Sequence, residues 1–151
     1  VITTVTCVPI FDVSRDTSRS VEQAWDRVTD WAAHGQFVPL TDVEVRTPGP
    51  NGVGTVFNGR THLGRFGFDD PMEVTEWRPP VDGSSGHCRI EKRGSVMHGW
   101  AELTVEPLPT GARVTWREDI ALARAPRFLD GPTLASSRRM FGRLLRRLLP
   151  D

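Results

Sequence analysis

A chain of 151 residues is the size of one domain with one core, and its 19 basic and 19 acidic side chains cancel, leaving no global field to draw nucleic acid or an acidic partner. No apolar run approaches the roughly 20 residues of a membrane span, so stable membrane insertion is not expected. Spacing motifs for zinc, dinucleotide or phosphate binding are absent, as is tyrosine, so neither a metal nor a cofactor is expected.

The opening "VITTVTCVPIF" lacks the basic and apolar regions of a secretory leader, and none is read there. Residues 4–13 alternate as a strand, with Val5, Cys7, Phe11 and Val13 in one phase and Pro9 marking an edge or bulge. Cys7 and Cys88 both sit among apolar neighbours, which favours two buried thiols in the cytoplasm over a disulfide. The period then changes. Val21, Ala24, Trp25, Val28 and Ala32 follow helical spacing, and Ser20 with Gln23 has the spacing of a capping box. "WAAHGQFVP" reads as a second, short helical turn broken by Gly35 and Pro39.

From residue 42 six strands follow with short connections: "DVEVR", "TVFNGRTHL", "RFGF" continued by "PMEVTEW", "HCRIEKR", "MHGWAELTVE" and "ARVTWREDIALA". Such a succession is an antiparallel meander. It curls because strands twist, and Gly54, Gly59, Gly64, Gly67 and Gly99 permit bends. The C-terminal stretch is helical, with Pro132 at its first position and Pro150 ending it. Leu134, Met140, Phe141, Leu144, Leu145 and Leu148 make one face, and Arg139, Arg143, Arg146 and Arg147 the other. At roughly 1.5 Å per residue this helix spans about 27 Å, close to the width of a six- or seven-stranded sheet.

The expectation is an α+β fold as a single domain over residues 1–151: two short helices after the first strand, then a curved antiparallel sheet of six to seven strands around a long C-terminal helix. A curled sheet cannot meet one straight helix everywhere, so a cavity is expected between them.

The order of these elements, together with "SVEQAWDRVTDW", "GVGTVF", "PMEVTEWRPP" and "GARVTWREDI", resembles the START-like or SRPBCC (Bet v 1-like) superfamily of polyketide cyclases/dehydrases and lipid-transport proteins. The resemblance covers nearly the whole chain. It implies a helix-grip fold with an internal cavity for an apolar or amphipathic molecule, and a terminal helix that lids it. It does not imply one activity, and no catalytic residue carries over.

Glu118 is the most informative position, because it shares a phase with Val114, Trp116, Ile120 and Leu122. Either a bulge turns it to solvent beside Asp119, or it lines the cavity with a raised pKa, as ligand acceptor or general acid–base. His62 shares a phase with Val56, Asn58 and Arg60, opposite Phe57, Thr61 and Leu63, and the inward phase is open. The polar phase outward leaves His62 exposed. The polar phase inward lets His62 and Arg60 meet Glu118, a set suited to enolisation of a carbonyl. Asp70 belongs either to an irregular, partly exposed "DDP" turn or to the cavity rim, in phase with Phe68, Met72 and Val74.

The catalytic candidates are thus Glu118 and His62. The candidate ligand contacts are Phe68, Asp70, Met72, Val74, Ile90, Trp100, Leu103, Trp116, Glu118, Leu134, Arg138, Phe141 and Leu145. Arg138 flanks the apolar stripe of the terminal helix and either snorkels outward or reaches an anionic group. The basic face of that helix is read as solvated, with a weak contact to anionic membrane as the alternative. The partner expected is a small hydrophobic or amphipathic ligand. Two functions follow: a cytoplasmic binder of a hydrophobic metabolite or lipid, and a polyketide aromatase/cyclase that promotes aldol closure and dehydration.

Overall fold

The computed structural model describes residues 10–124 and 126–151. Val5, Cys7 and Pro9, which the sequence places in the first strand, lie outside the described residues. Within them, strand β1 (Phe11–Thr17) is followed by α1 (Val21–Val28), α2 (Trp31–His34), β2 (Thr41–Val45), β3 (Val56–Leu63), β4 (Phe66–Arg78), β5 (Gly86–Lys92), β6 (Met97–Leu108), β7 (Gly111–Leu122), a short 3₁₀ turn at Arg127–Leu129 and α3 (Asp130–Leu148). All pairings are antiparallel, in the order β1-β7-β6-β5-β4-β3-β2. The meander is therefore closed on its β7 side by β1, and the seven strands form the curled half-barrel of the helix-grip fold.

Local chemistry sets these boundaries. At α1 the Ser20 hydroxyl accepts from the Gln23 amide, and the Gln23 side chain accepts from the Ser20 amide, so the capping box is complete. Val21, Ala24, Trp25 and Val28 are buried. Ala32 is not on that face: α1 ends at Val28, and Ala32 is exposed in the separate α2. β1 runs on to Thr17, beyond the expected end at Val13, because Ser14, Arg15 and Asp16 pair with Thr115, Val114 and Arg113. The terminal helix starts two residues before Pro132, which suits the first turn of a helix as a whole, where amide protons lack partners.

The connectivity gives the half-barrel two unlike ends. The β3–β4 and β5–β6 turns, the exit of β7 and the entry to α3 lie at one end, and the β4–β5 and β6–β7 connections at the other. α3 is fastened at the second end. Arg15 donates to the Leu149 carbonyl at 3.1 Å, and Arg27 donates to the Leu148 carbonyl at 3.2 Å. Cations placed on the last carbonyls of a helix complement its dipole. Leu145, Leu148 and Leu149 are buried there in a core with Val21, Val28, Leu103, Val105 and Val114.

Gly99 fixes the curl of β6. Its φ is +124°, and a Cβ would stand 1.9 Å from the Asp119 carbonyl oxygen on β7. Gly99→Ala is expected to lower unfolding stability by about 2 kcal/mol or more in urea melts. Gly142→Ala, on α3, meets nothing closer than the Arg146 guanidinium at 3.9 Å and should be neutral or stabilising.

Candidate functional site

The helix is held down at its C-terminal end, and a cavity of about 290 Å³ opens under its middle, from Ser137 to Leu144. Phe57, Gly59 and Thr61 of β3 line it, which settles the phase of that strand: the set with Phe57 and Thr61 faces in, while Leu63 at the strand end is exposed. β4 contributes Phe68, Asp70 and Met72, β5 contributes Ile90 and Lys92, β7 contributes Trp116, Glu118 and Ile120, and α3 contributes Ser137, Met140, Phe141 and Leu144. Aromatic rings line one side of it, with Trp31 packed behind them in the core. Trp116 stacks on Phe141 with centroids 4.7 Å apart, and Trp31 stacks on Phe57 at the same separation. His34 stands between these pairs, 5.4 Å from Trp31 and 5.8 Å from Trp116.

Into this apolar lining the sheet inserts three charges. Glu118 is 1 % exposed, so β7 keeps its alternation through that residue and no bulge turns it out. Lys92 Nζ lies 2.6 Å from Asp70 Oδ2 and 3.5 Å from Glu118 Oε1, and the Trp116 indole donates to Glu118 Oε2 at 2.7 Å. Two carboxylates thus share one ammonium. Burial pushes the Glu118 carboxyl above its ordinary range, against the pull of Lys92 and the Trp116 bond, and the Asp70 charge adds to the rise. Burial alone would lower Lys92, but Glu118 and Asp70 outweigh it and hold the ammonium charged.

His34 is a fourth polar group of the lining. Its Nε2 lies 3.0 Å from the Val28 carbonyl, which can only accept, so Nε2 carries the hydrogen and Nδ1 the lone pair. Burial, against that hydrogen bond and Asp30, lowers its pKa to about 4.

Seven of the expected contacts line the cavity: Phe68, Asp70, Met72, Ile90, Trp116, Glu118 and Phe141. Asp70 is buried within β4, paired opposite Gly59, and is not in an irregular turn. Val74, Leu103 and Leu145 are fully buried in the solid core, where the fastened half of α3 leaves no room. Leu134 is half-buried against the core, away from the cavity lining. Trp100 faces the outside of the sheet, with the Arg89 guanidinium 4.4 Å above its ring, because Ala101 and Leu103 take the inward phase. Arg138 is exposed, in a surface groove beside Val13 and Arg15. His62 is also outside. Its Nε2 sits 3.1 Å from Asp42 Oδ2, while Arg60 pairs with Asp69 at 3.1 Å, so neither meets Glu118. Lys92 and His34 escape the sequence reading. Lys92 was legible, since it follows Cys88 and Ile90 in the inward phase of β5. The Cys88 thiol, buried in the core, is pushed up to about 12 and is inert.

Among the described residues no three His, Cys, Asp or Glu side chains converge as metal ligands. No described helix is long and apolar enough to cross a membrane.

The profile of the family described as polyketide cyclase / dehydrase and lipid transport matches residues 9–149. Among solved structures the chain is similar to TTHA0849 from Thermus thermophilus, at 16% identity over 93% of this chain and 94% of that one, with TM-score 0.73. It is similar to a STAR-related lipid transfer protein fragment from Xanthomonas axonopodis, at 17% identity over 98% and 89% of the two chains, with TM-score 0.71. It is also similar to the lipid transfer and protein localization domain of human StarD13, at 10% identity over 94% and 77%, with TM-score 0.72. At these identities the likeness is one of fold. No curated protein matches the sequence.

His34 gives the cavity wall a pH signature. Its folded pKa of about 4 lies below the ordinary 6.5, so the fold prefers the neutral ring. The contribution is complete above pH 6.5 and is lost as pH falls toward 4, about 3 kcal/mol over the window. His34→Gln should therefore lose less stability than the native chain between pH 7 and pH 4.5, as read from urea midpoints at each pH.

Proposed function

We propose that this chain, which belongs to the polyketide cyclase/dehydrase and lipid transport family, binds a small hydrophobic or amphipathic metabolite or lipid in the cavity beneath α3. The observation that carries this reading is the cavity itself: about 290 Å³, walled by aromatic and aliphatic side chains, with a few convergent polar groups. At roughly 30 Å³ per water-sized group, it takes a ligand of about ten non-hydrogen atoms. Lipid transfer in the names of two structural neighbours supports the same class of ligand. The reading places the chain in the cytoplasm as one domain, with Cys88 as a reduced thiol. The exposed Arg139, Arg143, Arg146 and Arg147 of α3 would add a weak, salt-screened attraction to anionic membrane.

Native mass spectrometry of gently purified protein should show an apolar adduct, and azulene, a neutral blue hydrocarbon of ten carbon atoms used as the dye, should bind saturably at one site, read from quenching of tryptophan fluorescence. Ala101 lines the cavity opposite Glu118. Ala101→Trp should fill the space and remove dye binding while the circular dichroism of the sheet persists. No adduct, together with no saturable binding of any neutral apolar probe, would overturn the reading.

One observation favours a second reading, an aldol cyclase and dehydratase. Glu118, with its pKa raised, and the Lys92 ammonium stand on one wall, where an acid–base group and a cation could face a carbonyl as its oxyanion develops. His62 has no part in it, because it lies outside the cavity. Under this reading Glu118→Gln abolishes turnover of a poly-β-ketone mimic and keeps its affinity. Unchanged turnover removes Glu118 from the chemistry.

A further inference from the structure

The cluster on β4, β5 and β7 has more acceptors than donors. Lys92 Nζ satisfies Asp70 Oδ2 at 2.6 Å. Its approach to Glu118 Oε1, at 3.5 Å, is well beyond the roughly 2.7–2.9 Å of a charge-assisted bond. Among the described residues the one other side-chain hydrogen bond to these carboxylates, from the Trp116 indole, goes to Glu118 Oε2, and Lys92 Nζ also lies 3.8 Å from Met72 Sδ. Asp70 Oδ1 is buried with no hydrogen-bond partner among them, and Asp70 as a whole is 8 % exposed. Each carboxyl group therefore has an oxygen without a good donor. The formal charge of the three side chains, two carboxylates and one ammonium, is negative by one. Around them the lining is apolar: Phe68, Met72, Ile90, Ala101, Trp116 and Ile120. An uncompensated charge or an unmet acceptor in such surroundings is costly.

A bound molecule enters this balance. A hydroxyl brings a donor to an oxygen that lacks one. An amine brings a donor and the missing positive charge. A carboxylate or phosphate brings only further acceptors and a second uncompensated negative charge beside Asp70 and Glu118. The Lys92 ammonium gives its one short bond to Asp70, its other near neighbours are Glu118 Oε1 at 3.5 Å and Met72 Sδ at 3.8 Å, and the exposed arginines of α3 are across the helix, where solvent screens them. We infer that the cavity selects ligands whose polar end is a hydroxyl or an amine and rejects those whose polar end is a carboxylate or phosphate. This rests on the binding reading above and narrows it: the molecule held is an apolar body carrying a hydrogen-bond donor, not a free fatty acid.

Three probes of equal chain length test it: decan-1-ol, decylamine and decanoate, each below its micelle concentration, competing with azulene on the native protein at pH 7.5. The alcohol and the amine should displace the dye at concentrations at least about tenfold lower than decanoate. Decanoate as effective as the other two, or more so, overturns the inference and leaves the hydrophobic-ligand reading standing. Saturable dye binding that none of the three displaces overturns it as well. Absence of dye binding defeats the underlying reading itself.

The double variant Asp70→Asn/Glu118→Gln keeps the shape of the wall and leaves Lys92 as its only charge. With a native-like melt it should reverse the order, decanoate now displacing best. A folded double variant that keeps the native order overturns the inference. If that variant does not fold, the probe series on the native chain decides alone.

Discussion

The fastening of α3 at one end is the constraint on which the rest depends. Arg15 from β1 and Arg27 from α1 donate to carbonyls at the end of that helix, and Leu145, Leu148 and Leu149 are buried beneath it. Cations on terminal carbonyls and leucines in a packed core favour the same position, and a straight rod held down at one end of a curled sheet stands clear of it at the other. The space this leaves is the cavity. It also explains why Leu103, Leu145 and Val74 are core while Ile90, Met72 and Phe141, of similar chemistry, are lining: the difference is distance from the clamp.

Asp70, Lys92 and Glu118 are not what holds the fold together. Replacing a buried ionic cluster with apolar side chains of similar volume is commonly neutral or stabilising, because the Coulomb attraction hardly repays lost hydration. Here the arrangement is also incomplete, with Asp70 Oδ1 unpartnered among the described residues and one negative charge in excess. Phe, Met, Ile and Trp neighbours show that the wall could have been wholly apolar. A cluster that folding does not require, placed on the surface of a cavity, gives that surface its polar character. Its members come from three strands, so it exists only when the sheet is in register.

Most of the architecture was legible, because it rests on periods. The capping box at Ser20, the alternation of six strands and the amphipathic final helix are local patterns that the structure retains. The same period-two logic placed Glu118 inside once β7 proved regular, and it would have placed Lys92 inside had it been applied after Ile90. What local patterns could not supply was the relation between elements. Trp100 looked like a pocket wall from its size, and its position outside follows from the phase of Ala101 and Leu103. His62 could not be placed while either face of β3 was open, and pairing with β2 decided it, because Asp42 waits on the outer surface. His34 gave no signal at all, since its burial comes from Trp31, Trp116 and the Val28 carbonyl, which meet only in three dimensions.

One irregularity ties container to contents. In β4, Asp70, Met72 and Val74 face inward in even phase, while Trp77, of odd phase, also turns inward and meets Trp25 of α1 edge-on at 4.9 Å. A regular strand cannot do both. The register with β5 shifts between Val74 and Glu76, and that bulge reverses the alternation. Below it, β4 packs against α1 and secures the closed end. Above it, β4 presents Asp70 to Lys92 and Glu118. Without the bulge, a sheet that kept Trp77 in its core would turn Asp70 to solvent and the cavity would lose a charge. Solved structures of 10–17% identity share this fold at TM-scores of 0.71–0.73, so the fold survives wide changes of sequence. The charges inside it do not follow from the backbone. They depend on single residues and on where one strand changes phase, which is why a likeness of fold leaves the chemistry of the cavity wall to the side chains on β4, β5 and β7.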